Sequence, residues 1–230
     1  MRLPYTPNPP TSASPTDAAI LARIQERRHP RPLQPLDLTL LHAPAVADGW
    51  NSFLGAIRTR TSIPDDLREI AISRIAVVNR AWYEWGHHAP LATKAGVSDQ
   101  GMAVVKREEA LDLSSSSQIH AGLNEKQWVV LCYTDEMTRN VNVKDETFAR
   151  LRGLFDEKEV VEITATVACY NCVSRFLVAL DGEFFFPPLF VLLLKPRFTS
   201  CFAWAMWLSG ASLPMSGFQF MGLRTDQSSR

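Results

Sequence analysis

Glu69, Glu84 and His88 are the residues whose types and spacing suit chemistry, and all three fall in the stretch DDLREIAISRIAVVNRAWYEWGHHAPLATKAGVS, Asp65 to Ser98. Here ionisable groups recur inside an apolar helical pattern instead of on a solvated face. Glu84 and His88 are four apart, so on a helix they share a face with Cβ atoms within about 6 Å. Trp82, Tyr83, Trp85, Ala89, Leu91 and Ala92 surround them with apolar or small side chains. A carboxylate beside an imidazole in such surroundings holds the ring in one tautomer and raises its proton affinity, which suits proton transfer near neutral pH. The ordinary alternative is a surface pair worth a few tenths of a kcal/mol. His87, turned about 100° from His88 around the helix, is a bystander.

Glu69 lies fifteen residues before Glu84. On one straight helix that is a separation of roughly 22 Å, at 1.5 Å per residue. The three residues share a site only if the chain turns between them, and Asn79-Arg80-Ala81 is the expected break. A continuous helix from 66 to 94 excludes the three-residue site.

Arg74, Arg80 and Arg175 are candidates for holding a substrate carboxylate, because guanidinium groups bind carboxylates bidentately. Trp82 and Trp85, with Tyr83, are candidates to line an apolar pocket, although aromatic residues at these spacings also serve as plain core. Cys169 and Cys172 form a Cys-x-x-Cys pair, which is a redox couple where one thiolate is stabilised. They fall inside a predicted helix, followed by Val173-Ser174-Arg175-Phe176 with no histidine, so small core residues are the plainer reading. No second paired-ligand motif accompanies them, and no metal site is expected.

The elements that must position these groups read as helices. Thr16-Asp17 opens one through about Arg27, and HPRPLQP (His29 to Pro35) breaks regular structure. Asp37 to Arg60 reads as two short helices interrupted near Pro44. Ile63-Pro64-Asp65-Asp66 starts the next, with acidic residues at the positive end of the helix dipole. Leu67, Ile70, Ala71, Arg74, Ile75 and Val78 form its stripe. Trp82 to Ala95 follows and stops at Gly96, a C′ glycine. Further helices run from Ser98-Asp99 to about Glu109, Asn124 to about Arg139, Lys144 to Leu154, and Asp156 or Glu157 to Leu180. No stretch of residues 16–180 alternates with strand period. The predicted fold is all-α, a compact helical bundle over residues 16–182.

The ends differ from this core. Residues 1–15 hold five prolines among small polar residues, which predicts an irregular, disordered arm. Beyond Gly182 come FFFPPLFVLLL (Phe184 to Leu194) and a run from Phe198 to Leu223 with no charged residue. About 20 such residues suffice to cross a bilayer, but Pro187-Pro188, Pro214 and the glycines and serines oppose a spanning helix. Membrane anchor, buried or oligomeric apolar tail, and misread coding segment remain open for residues 183–230. The 24 basic and 24 acidic residues balance, which argues against a nucleic-acid footprint. Four scattered cysteines and a polar, proline-rich start fit neither a disulfide scaffold nor a secretory signal, so a cytoplasmic protein is expected.

Residues 63–98 resemble the carboxymuconolactone decarboxylase and alkylhydroperoxidase D family. The likeness lies in LREIAISRIAVVNRAWYEWGHHAPLATKAGVS and in the His-x-x-x-Ala-x-x-x-Gly spacing of His88, Ala92 and Gly96. Tyr170-Asn171 and Ser174-Arg175-Phe176 are similar to the last family helix. The peroxidase branch carries Cys-x-x-Cys-x-x-x-His with a glutamate twelve residues before the first cysteine. Those positions here are Ala81, Glu84, His88 and Glu69. Both redox cysteines are absent while the glutamate and histidine remain, which resembles the decarboxylase branch. The resemblance implies an all-helical, cofactor-free, homo-oligomeric enzyme that decarboxylates a small carboxylated lactone or related carbonyl acid. His88 is then proton donor or shuttle, Glu84 its orienting partner, and Glu69 a second acid/base or hydrogen-bonding group. A thiol-dependent reductase using Cys169 and Cys172, and a non-catalytic helical scaffold, are the rival readings.

Overall fold

A computed structural model describes residues 2–114 and 122–180. The chain divides into two units, Met1–Phe185 and Phe186–Arg230, and every described residue belongs to the first. The three expectations for residues 183–230 therefore lie outside the described residues. Nine α-helices and no strand occur among the described residues: α1 (Pro15–Arg28), α2 (Pro35–Leu40), α3 (Pro44–Thr59), α4 (Asp65–Val78), α5 (Trp82–Lys94), α6 (Asp99–Val105), α7 (Glu125–Asn140), α8 (Asp145–Leu154) and α9 (Glu157–Ala179). None of them is long and apolar enough to cross a membrane.

The bundle is built around α4, which packs on α5, α7 and α9. Its predicted stripe understates how far it is enclosed. Ile72 and Val77, off that stripe, are buried as deeply as Ile70, Ala71 and Ile75. A helix covered on all sides is apolar nearly all round, which blurs a one-faced pattern. Ile72, Ile75, Val129, Val130, Ile163 and Val167 form the centre of the core with Leu151 and Tyr170. Fully burying one such aliphatic side chain contributes about 1.5–3 kcal/mol. A smaller cluster of Ile20, Ile24, Leu40 and Ala47 seats α1 and α2 on α3.

Polar residues close the ends of the helices. Ser14, two residues before the predicted Thr16, caps α1 by accepting from the Asp17 backbone amide at 3.1 Å. Asn124 and Asp156 cap α7 and α9 through reciprocal capping boxes with Gln127 and Glu159. Helix α6 ends at Val105, before the predicted Glu109. Arg74 causes this, because its guanidinium donates to the carbonyls of Val105, Arg107 and Glu109 and holds that segment in an open course.

Residues 2–14 form no regular element, as their prolines dictate, and several of their groups are hydrogen-bonded to the bundle. The Thr6 amide and hydroxyl both donate to the Leu38 carbonyl, at 3.3 and 2.8 Å. The Arg2 amide reaches the Leu180 carbonyl at 3.1 Å, and Pro4 O meets the His42 ring at 2.7 Å. These bonds satisfy backbone groups that prolines cannot pair in a helix.

The chain breaks where the three-residue site requires it. Helix α4 stops at Val78, and Arg80 takes φ +55°. The Arg80 amide donates to Val77 O and the Ala81 amide to Ala76 O, the paired closing bonds of a Schellman motif. A second such motif closes α5, with Gly96 at φ +100° as predicted. Arg80 therefore serves the turn, and its exposed position corrects its candidacy as a substrate ligand. A left-handed non-glycine residue is strained, so Arg80→Gly is expected to raise stability by about 0.5–1 kcal/mol, read as a higher urea midpoint. A lower midpoint would mean that the arginine side chain contributes more than its backbone costs.

Candidate active site

The turn at Asn79-Arg80-Ala81 folds α5 back along α4 and brings Glu69 to His88. The Glu69 Oε2–His88 Nδ1 distance is 2.6 Å, with both side chains buried. Because Nδ1 faces a carboxylate, it carries the proton and donates. The other ring nitrogen, Nε2, then accepts from Arg58 Nη1 at 3.4 Å. The same Nη1 donates to the Tyr170 hydroxyl at 3.1 Å, and the Tyr170 ring meets the His88 ring edge-on, centroids 5.1 Å apart. Four helices thus supply one cluster: α3 gives Arg58, α4 Glu69, α5 His88 and α9 Tyr170.

Arg58 and Tyr170 are held by α9 from two directions. Eight residues before Tyr170, Glu162 accepts from the Ser62 amide and hydroxyl and from the Ile63 amide, at 2.7, 2.8 and 3.2 Å. This clamps the turn that follows α3 and fixes the end of the helix carrying Arg58. Sequence reasoning missed Arg58 altogether. The signal was present, since Leu54, Ile57 and Arg58 fall at i, i+3 and i+4, where an arginine on an apolar stripe is out of place.

Glu84 is buried on the same face of α5, 3% exposed. It lies near Tyr170 and Cys169, whose ionisation its charge opposes. The contact that orients the imidazole is made by Glu69, which corrects the role assigned to Glu84. His87 is the expected bystander, its Nδ1 bonded at 2.8 Å to the Tyr83 carbonyl.

The other candidates do not join the cluster. Arg74 is fully buried in a pair with Asp135, Nη2–Oδ1 2.6 Å, and so is structural. Trp82 is largely exposed at the start of α5. Trp85 packs against the cluster of Ile70, Ala92 and Leu131, with Lys106 Nζ 5.8 Å from its ring. Arg175 is exposed and donates to Asn171. Cys169 is buried and its thiol is pushed up to about 12, chiefly by burial, while Cys172 is exposed. A thiol held so firmly protonated is a poor nucleophile.

Burial and charge set the resting protonation of the pair. Burial lowers the proton affinity of His88, and Arg58 and His87 add to this; the Glu69 hydrogen bond and charge oppose it, and the net direction is down. This reverses the raised affinity expected from the sequence. Burial disfavours the Glu69 carboxylate, but the His88 bond and the nearby charges, Arg58 and Arg68 among them, more than offset it, and its pKa is lowered. The resting state is a carboxylate beside a neutral imidazole. For both groups the unfolded chain binds protons more readily, so stability rises with pH across both windows. The His88 contribution is intact above the ordinary value of 6.5 and declines as pH falls below it; the Glu69 contribution follows below 4.5. Urea midpoints are expected to fall between pH 8 and pH 5, and to fall less in His88→Gln. An equal fall in the variant would assign the loss to other groups.

The helical bundle has an alkylhydroperoxidase D-like fold. Residues 44–119 match the model of the carboxymuconolactone decarboxylase family. Among solved structures, the fold is similar to the alkylhydroperoxidase AhpD core of a peroxidase-related protein from Ralstonia eutropha JMP134. The TM-score is 0.60 at 18% identity, covering 77% of this chain and 88% of that one. It is also similar to a cysteine-to-alanine variant of the debrominase Bmp8 in complex with 2,3,4-tribromopyrrole, at TM-score 0.59, 19% identity, and 79% and 91% coverage. A peroxidase-related protein from Silicibacter sp. TM1040 gives a TM-score of 0.58 at 14% identity, with 77% and 90% coverage. At these identities the likeness speaks for the fold. No curated protein matches the chain by sequence.

Proposed function

We propose that the protein is a cofactor-free carboxy-lyase of the decarboxylase branch, acting on a small carboxylated lactone or related carbonyl acid and working as a homo-oligomer. The observation that carries this reading is the buried Glu69–His88 pair at 2.6 Å, in a segment where Ala81 and Glu84 stand at the positions of the two redox cysteines of the peroxidase branch. The reaction needs a substrate whose own conjugated carbonyl accepts the electron pair of the breaking C–C bond. Carbon dioxide leaves, a dienolate forms, and one proton is returned to carbon. The protein's part is to hold the substrate in a site poor in water, stabilise the oxygen that gains charge, and deliver the proton.

His88 is the proton carrier in this scheme. Glu69 fixes the Nδ1–H tautomer and stabilises the imidazolium, so that proton exchange with substrate occurs at Nε2. Glu84 supplies a second buried carboxylate beside Tyr170. The firmly protonated thiol of Cys169 weighs against the thiol-dependent reductase. The test is mass spectrometry of the purified full chain with a panel of carboxylated lactones, following loss of CO2. Loss from at least one member supports the reading, and none across the panel opposes it.

A further inference from the structure

Arg58 differs from Arg28, Arg68, Arg74 and Arg139 in what it binds. Arg28 meets Asp37 at 2.8 Å, Arg68 meets Asp65 at 2.7 Å, and Arg74 and Arg139 meet Asp135 at 2.6 and 2.9 Å. Among the described residues no carboxylate lies within 4 Å of Arg58. Its recorded hydrogen bonds both leave from Nη1, one to His88 Nε2 and one to the Tyr170 hydroxyl. Those two bonds use both N–H groups of Nη1. The edge formed by Nε and Nη2, which is the edge that takes a carboxylate bidentately, has no hydrogen-bond partner among the described residues.

The surroundings make this edge attractive to an anion. The charged and titratable groups around His88 are Glu69 and Arg68 from α4, Arg58 from α3, Glu84 and His87 from α5, and Tyr170 and Cys169 from α9. Arg27 and Arg28 of α1 add positive charge near Arg58 and His87. Glu69 is committed to His88 and Arg68, and Asp37 to Arg28 and Arg27. A guanidinium without its own carboxylate therefore faces the one ring nitrogen of the site that is open to exchange.

We propose that Arg58 receives the carboxylate of a small organic acid on its Nε/Nη2 edge, and that this contact loads His88 with a proton at Nε2. In the resting site burial and the guanidinium that donates to it together hold Nε2 as an acceptor, so the imidazole has no proton there to give. A bound carboxylate neutralises that charge and shares the guanidinium, and Nε2 then takes up one proton from solvent. Arg58 is thus the anion-binding residue sought among Arg74, Arg80 and Arg175. This deepens the decarboxylase reading by naming what holds the substrate and how the proton arrives, but its test needs no turnover.

The probe is 5-oxotetrahydrofuran-2-carboxylate, a saturated lactone acid that lacks the conjugated carbonyl needed to lose CO2, with its carboxamide as neutral control. Calorimetry in Tris gives affinity, and a pH-stat in dilute potassium chloride gives proton uptake on binding. The wild-type chain is expected to bind the carboxylate with measurable proton uptake, rising to about one proton per chain. Arg58→Gln is expected to weaken carboxylate binding at least about 10-fold, and Arg58→Lys by less, with the carboxamide nearly unaffected. His88→Gln is expected to bind the carboxylate without proton uptake. If Arg58→Gln fails to fold by circular dichroism, Arg58→Lys is judged by the same selectivity for carboxylate over carboxamide. No carboxylate binding by the wild type, or an equal loss for acid and amide, overturns the assignment of Arg58. Binding that depends on Arg58 but takes up no proton overturns the coupling to His88. A chain that binds the probe through Arg58 yet releases no CO2 from any reactive lactone separates this inference from the proposed reaction.

Discussion

His88→Ala is expected to lower turnover of a carboxylated lactone at least about 100-fold, because it removes the group that returns the proton to carbon. Nothing else in the cluster can take over. Glu69 is held as a carboxylate by His88 and by neighbouring guanidinium groups and has no proton to give near neutral pH. Tyr170 holds its proton more tightly than an ordinary phenol, mainly because it is buried. Glu69→Gln separates the two roles of the pair. Its amide oxygen still accepts from Nδ1, so the tautomer survives while the charge that stabilises the imidazolium is lost. A smaller loss of about 10-fold is expected, with the pH optimum shifted to lower pH, since the imidazole becomes harder to protonate. Turnover that is unchanged in His88→Ala would remove the assignment.

Arg74→Met is expected to destabilise the fold by about 3–5 kcal/mol, since it removes the buried partner of Asp135, leaving that carboxylate only the more exposed Arg139, and frees three carbonyls. Asp135 receives the Arg74 guanidinium through Nε and Nη2 at 2.8 and 2.6 Å, and also accepts from the Leu111 amide at 2.9 Å. The same guanidinium satisfies the carbonyls of Val105, Arg107 and Glu109. One side chain thereby ties α4 and α7 to the open segment between α6 and the following loop. In a chain of this size the loss corresponds to a fall in Tm of about 6–20 °C. Arg74→Met with Asp135→Leu is expected to recover part of this and not all. The double variant removes the under-paired carboxylate but deprives Arg139 of its acidic partner and leaves the three carbonyls and the Leu111 amide without theirs, each worth about 1–3 kcal/mol where water cannot reach. A Tm within about 2 °C of wild type for the single variant would contradict the structural role.

The contrast between Arg74 and Arg58 shows where reading from sequence succeeds and where it stops. Periodicity and caps found the helices, because each is a local pattern. The break at Asn79-Arg80-Ala81 followed from asking how Glu69 and Glu84 could meet, and the Schellman turn there supplies it. Boundaries failed where a distant side chain intervened, as at Val105, where Arg74 draws the next carbonyls out of helical register. The partner of His88 was misassigned for a related reason. A spacing of four residues places Glu84 on the right face, but it cannot show that a neighbouring helix brings Glu69 closer. The stripe marked Arg58 as out of place but could not assign it to the site, because its meaning depends on α9, more than a hundred residues away, supplying Tyr170. Both arginines sit on apolar stripes. Only packing reveals that one is matched by Asp135 and the other faces an imidazole.

The decisive measurement is product analysis after reaction of a carboxylated lactone in D2O, with the wild-type chain and His88→Ala side by side. If Glu69 and His88 move the proton, the wild type releases CO2 and places one deuterium on the product's carbon framework, and His88→Ala does so at least about 100-fold more slowly. Release of CO2 at the wild-type rate by His88→Ala, or no release by either chain across the lactone panel, would contradict it.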